Sequence, residues 1–295
     1  MPQNYVFMTD SDSDLPFDIA DARGIQVIQM PYAIDGKEYM DDNGRTNDPH
    51  AFFQKMRAGA APNTSLLPTE AYLETFEPIL KDGRDILFIA FSSKMSATLN
   101  NAREARELLL RKYPERKLII VDTLLISAPM SLLVLRAHDL YLQGASMEEV
   151  AQYVLDRRFH FLTWMTVDDL IYLKRGGRIS PTKAFFGSML DIKPIISMGK
   201  NGLMVSVSQV QGRKKALRTI VDKVVENIEH PEDQEIVIMQ ADVEEEANRV
   251  RDTLCQRIPG LKSVRVQAIG PVIGAHCGPG TIAICFEGRL NPIEG

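Results

Sequence analysis

Thr9-Asp10-Ser11-Asp12-Ser13-Asp14-Leu15-Pro16 puts three carboxylates on alternate residues directly after an apolar run. Behind a strand, an Asp-x-Asp pair can serve phosphoryl transfer, with Asp10 as nucleophile and Asp12 as acid. A calcium loop is a second chemistry, but its sixth position would be Leu15, where the sharp turn requires Gly. The third is plain turn chemistry: short polar side chains capping a helix that begins near Pro16.

Four further stretches carry polar groups in suggestive settings. In Asn63-Thr64-Ser65-Leu66-Leu67-Pro68-Thr69, two hydroxyls adjoin two leucines. That pairing suits an amphiphile whose head is hydrogen-bonded and whose tail is buried, and it equally suits a simple N-cap loop. Phe91-Ser92-Ser93-Lys94-Met95-Ser96-Ala97-Thr98 follows a buried strand. In a parallel sheet it lies at the carboxyl end, where such folds bind ligands. Ser96 sits where the next helix begins, so its hydroxyl can cap the helix and donate to an anion there. Leu173-Lys174-Arg175-Gly176-Gly177-Arg178-Ile179-Ser180 sets three cations around a Gly-Gly turn, as a phosphate or partner contact or as a solvated basic turn. Gly270 to Gly280 holds four glycines and two prolines around one ionisable side chain, His276, and reads as a constrained loop. No Gly-x-Ser-x-Gly, His-Glu-x-x-His or Walker loop is present, so no catalytic set, cofactor or metal site is expected.

The elements that must position these groups alternate between short apolar runs and amphipathic stretches. Strands are predicted at 5–9, 26–32, 85–91 and 118–121, and helices at 51–56, 70–80, 97–112 and 127–142. The run 85–91 is continuously apolar, as a central parallel strand buried on both faces must be. The later half differs. Helices are predicted at 148–157, 214–228 and 243–257, and strands at 161–167, 235–239, 264–268 and 280–286. Asn201-Gly202 between the runs 194–198 and 203–210 signals a hairpin, hence antiparallel content. The fold class expected is α/β in two domains, 1–158 a Rossmann-like α/β domain with a parallel sheet and 159–295 an α/β domain with a mixed sheet. The tail after Gly288 reads as loose.

Composition narrows the function classes. The chain has 295 residues, 45% hydrophobic and 25% charged, with net charge −5. Two domains with room for an internal cavity fit that length. An acidic chain without a basic stripe gives no nucleic-acid footprint. Glu244-Glu245-Glu246 reads as a solvated helix face. The longest apolar stretch, 124–135, is interrupted and shorter than the ~20 residues of a spanning helix, which leaves at most transient membrane contact. Three cysteines at no metal-like spacing and an N-terminus without a signal core place the protein in the cytoplasm.

Taken together and in this order, the five stretches resemble the DegV family of fatty-acid-binding proteins. That family typically shows Thr-Asp-Ser-x-x-Asp-Leu-Pro, Thr-Ser-Gln-Pro-Ser, Ser-Ser-x-Leu-Ser-Gly-Thr, Leu-x-x-Gly-Gly-Arg-Ile and Gly-x-His-x-Gly-Pro-Gly. The resemblance spans about residues 5 to 287. It implies a long-chain fatty acid such as palmitate in a tunnel between or within two domains, with roles in lipid transport or fatty-acid metabolism. Thr64 and Ser96 would bond the carboxylate, with His276 nearby and Ser65 and Arg178 as headgroup or partner contacts. It implies a binding protein rather than an enzyme, one able to present the acid to a separate ATP-using fatty-acid kinase subunit. The chain departs from the pattern at Leu66-Leu67, Ala97, Ala275 and Cys277.

Overall fold

A computed structural model of the protein describes residues 4–179 and 191–294. Ser180, the end of the basic stretch, lies outside the described residues.

The chain order begins with β1 (Tyr5–Asp10), α1 (Phe17–Arg23), β2 (Gln26–Ile28), β3 (Pro31–Ile34) and β4 (Lys37–Met40). Next come α2 (Pro49–Arg57), β5 (Asn63–Thr64), α3 (Thr69–Lys81), β6 (Asp85–Ala90), α4 (Thr98–Lys112), β7 (Leu118–Asp122), α5 (Ser127–Leu142) and α6 (Met147–Arg157). The later half runs β8 (Phe161–Thr166), α7 (Ile171–Gly176), β9 (Ile192–Met198), β10 (Met204–Gln211), α8 (Arg213–Asn227), β11 (Glu235–Gln240), α9 (Glu244–Arg257), β12 (Ser263–Ala268), α10 (Pro271–Cys277) and β13 (Ile282–Glu287).

The molecule is α/β. A four-stranded sheet of order β2-β1-β6-β7 is parallel throughout. Its two middle strands are almost wholly buried, as helices on both faces require. A six-stranded sheet of order β10-β9-β8-β13-β11-β12 is mixed. One face packs against α8 and α9 through Trp164, Ile195, Ile220, Val224, Ile238 and Ile284. The hairpin joining β9 and β10 turns at Gly202, with φ +78°, and Met204 stands opposite Met198. A three-stranded sheet, β4-β3-β5, completes the strands.

Local chemistry fixes the helix ends. Asp48 caps α2, accepting the His50 and Ala51 amides, with Pro49 in the first turn. Ser146 and Glu149 form a reciprocal capping box on α6. The three glutamates 244–246 occupy the first turn of α9, where the helix dipole favours them, and Glu246 accepts from Arg213 at 2.7 Å.

Two compact units result. One comprises residues 1–33, 37–47 and 64–158, and the other 34–36, 48–63 and 159–295. The segment bearing α2 therefore belongs with the later half of the chain.

Four local expectations are corrected. The apolar run 26–32 is two strands in different sheets, because Pro31 has no amide to continue a ladder. The polar residues before Pro16 do not cap α1, which has no side-chain cap; Ser11–Ser13 form a buried 3-10 turn instead. The glycine-rich stretch 270–280 contains a helix, α10. The tail after Gly288 is pinned: the Asn291 side chain is buried and donates to the Met198 carbonyl at 2.8 Å, and the Lys200 amide donates to the Ile293 carbonyl.

Candidate functional site

In the first unit, chemistry gathers at the carboxyl ends of the parallel strands. Asp10 closes β1, and its Oδ2 accepts the Phe91 amide at 2.9 Å just past β6. Ser92 anchors the following loop: its carbonyl accepts from Met95 and Ser96, and its hydroxyl from Lys94. Ser93 donates its amide to Asp122 at the end of β7. Ser96, half-buried, accepts the Thr98 amide at 3.2 Å. It thus steadies the start of α4 while its own hydroxyl hydrogen can still turn toward a ligand.

Thr64 ends β5 and is half-buried; Ser65 and Leu66 are exposed and Leu67 is buried. The Leu67 amide donates to Thr98 Oγ1 at 3.3 Å, and Asn101 donates to the Leu67 carbonyl at 2.8 Å. The stretch carrying Thr64 and the stretch carrying Ser96 are therefore both tied to the first turn of α4. Tyr72 on α3 shares Thr98 Oγ1 at 3.3 Å. Thr98, Asn101 and Tyr72 were not singled out from sequence; Thr98, two residues past Ser96, carried the one available signal.

Two departures find a local account. Ala97 is exposed, with φ −80° and ψ 0°, so the backbone does not need glycine there. Leu67 turns inward as core while Leu66 stays 45% exposed.

The aspartates after β1 are buried. Asp10 is 1% exposed and Asp12 4%, and Asp14 accepts from Ser127 at the start of α5. Burial pushes the Asp10 carboxyl up to about 7, against the pull of the Phe91 amide. Burial, followed by the charges of Asp10, Asp41 and Asp14, holds Asp12 well above the usual carboxylate range. Among the described residues, the one grouping with ligand atoms close enough for a metal is the exposed trio His230, Glu232 and Asp233.

In the second unit, His276 lies in the last turn of α10. Burial, then the Arg178 charge, pulls its imidazole down to about 4, so it is neutral at physiological pH. Arg178 donates to the Gly176 carbonyl. The glycines make room for these neighbours. A Cβ on Gly176 would meet His276 Nδ1 at 2.5 Å, and one on Gly274 would meet the Phe53 ring at 2.7 Å. Lys174 and Arg175 are exposed on α7, and the Arg175 guanidinium lies 5.9 Å from the Tyr172 ring centre. Thr64, Ser65 and Ser96 thus belong to the first unit, and His276 and Arg178 to the second.

The family model described as an uncharacterised protein of the DegV family matches residues 5–289. A DegV domain-containing protein of Clostridium perfringens is 36% identical over 286 residues, covering 97% of this chain and 98% of that protein. Among solved structures, a DegV lipid-binding protein from Thermotoga maritima superposes with a TM-score of 0.82 at 26% identity, covering 97% of this chain and 99% of that one. A DegV family protein from Thermus thermophilus, described by its fatty acid binding, gives 0.83 at 29% identity, with 96% and 99% covered. DegV of Bacillus subtilis, described as a fatty acid binding protein, gives 0.83 at 25% identity, with 97% and 100% covered.

Proposed function

The chain belongs to the DegV family, and from that premise we propose that it binds a long-chain fatty acid such as palmitate. The acyl chain is buried, and the carboxylate is held by the hydroxyls of Thr64 and Ser96, with Ser65 as a further headgroup contact. The observation that carries the reading is the double tie of the Thr64 and Ser96 segments to the first turn of α4. Hydroxyl donors then share a helix N-terminus, whose positive end favours an anion.

Energetics agree with a carrier. Each buried methylene contributes about 0.8 kcal/mol, so the tail supplies most of the affinity. The head needs only enough donors to offset its desolvation. No catalytic base is required. In this reading the protein is the lipid-carrying member of a pair, presenting the carboxylate to a separate ATP-using kinase subunit. It works in the cytoplasm, consistent with three free cysteines. Among the described residues no helix is long and apolar enough to cross a membrane. Phosphotransfer would require an ester to reach Asp10 and Asp12, which are 1% and 4% exposed.

Denaturing extraction of the purified protein followed by mass spectrometry should release a fatty acid, or the protein should take up added palmitate. Thr64→Ala with Ser96→Ala is expected to weaken palmitate binding at least tenfold, about 1.4 kcal/mol, with an unchanged circular dichroism spectrum. Unaltered affinity in that folded double variant refutes the headgroup assignment.

A further inference from the structure

Asp10 and Asp12 have no part in the function proposed above, yet Asp10 holds the start of the loop that carries Ser96. Phe91, whose amide is held by Asp10 Oδ2, opens the loop that carries Ser96. Tyr72, whose phenol feels the charges of Asp10 and Asp12, bonds Thr98, which in turn holds the Leu67 amide. Asp10 Oδ1 and Asp12 Oδ1 are buried with no hydrogen-bond partner among the described residues. The charged groups that bear on Asp12 are themselves acids: Asp10, Asp41 after β4, and Asp14, which Ser127 of α5 holds. The other titratable groups that α5 turns toward β1 are His138, which lies against Phe7, and Tyr141, which lies against Tyr5 and Phe7.

Carboxylates buried this deeply take up protons when no cation offsets them. These acids do not form a compact cage for a metal. We infer that Asp10 and Asp12 are positioning residues for the fatty-acid headgroup loops and act as neutral carboxylic acids, so that loading is favoured while the pair holds its protons and weakened when it ionises. This rests on the fatty-acid reading. The sign follows from the charges: a ligand carboxylate above an ionised Asp10 is repelled, and above a protonated one it is not. Since burial pushes the Asp10 carboxyl up to about 7, the affinity falls as pH rises through that range.

The test is equilibrium binding of tritiated palmitate to the full chain at about pH 6 and about pH 8.5, both above the ordinary carboxylate range. The wild-type dissociation constant should rise about tenfold between the two, as a charge pair separated by several Å in a partly buried site implies. Asp10→Asn keeps an oxygen for the Phe91 amide and cannot ionise, so its constant should move less than about threefold. Asp10→Ala loses that oxygen and should bind weakly at both pH values. Asp12→Asn, measured alongside, should flatten the profile as well and stands in if Asp10→Asn does not fold. Parallel pH profiles for the wild type and the two Asn variants overturn this inference while leaving palmitate binding intact. No palmitate binding by the wild type at either pH overturns the fatty-acid reading and this inference with it.

Discussion

His138 shows how one side chain sets a pH response. It is fully buried on α5, with the Phe7 ring edge-on at 5.0 Å and the Tyr141 ring stacked at 5.1 Å. Neither ring nitrogen has a hydrogen-bond partner among the described residues. Burial, then the Arg23 charge, lowers its pKa to about 4. Between an unfolded value near 6.5 and that folded value, the unfolded chain binds more protons. The stability is therefore complete above about pH 6.5 and is lost as pH falls. His276 has the same sign. Asp10 has the opposite one: its folded pKa is raised, so its burial costs more as pH climbs toward 7. His138→Phe keeps the ring packing and removes two unsatisfied nitrogens. It should stabilise the fold by about 1–2 kcal/mol at neutral pH and by more near pH 5. Urea melts at the two pH values read this directly, and a less stable variant at both would contradict the account.

At the scale of elements, α2 is fastened by one carboxylate. Asp242, at φ +60°, accepts from His50 Nδ1 at 2.5 Å, Gln54 Nε2 at 2.7 Å and Arg57 Nε at 3.0 Å, while Phe53 fills the space left by Gly274 of α10. Asp242→Ala removes these three side-chain hydrogen bonds, leaving only the Arg57 bond to the backbone carbonyl, and should cost about 1–3 kcal/mol. The loss should be local: hydrogen exchange at residues 49–57 should quicken more than in β8 or β13. Uniform quickening would mean that Asp242 stabilises the unit as a whole. This scale was also the most legible in the sequence. Periodicity and turn residues are local, so the 201–202 hairpin and helices such as 127–142 could be read directly. The 270–280 stretch could not. Its glycines answer to Phe53, Tyr172 and Asp168, which are distant in sequence, and a glycine that makes room for a neighbour looks no different from one that makes a loop.

Across the whole molecule, the hydroxyl loops were readable as separate weak signals, but their joint tie to α4 was not. Leu67 to Thr98 spans 31 residues and Asp14 to Ser127 spans 113, and no local pattern encodes such pairings. The burial of Asp10 and Asp12 was hidden for the same reason, because exposed and buried aspartates are spelled alike. The kinase-partner reading belongs to this scale too. Lys174, Arg175 and Arg178 form its candidate contact, although the chain as a whole is acidic. Reversing all three charges should weaken association with an ATP-using kinase subunit at least tenfold and abolish the weakening that added salt causes in the wild type. Palmitate binding by a variant reversed at Lys174 and Arg175 alone should change far less. Association that survives the reversal removes the patch from the model.

The division of the chain into units bears on how a ribosome makes it. Residues 48–63 leave the exit tunnel before residues 64–158, yet they belong to the unit that begins again at 159. The nascent α2, with Phe52, Phe53 and Met56 on its apolar face, must wait through that whole interval for Gly274 and Asp242 to be translated. A gene split after codon 158 would therefore not yield two intact halves. The upstream product would carry an apolar helix with nothing to cover, and the downstream product would lack the helix that packs beneath α10.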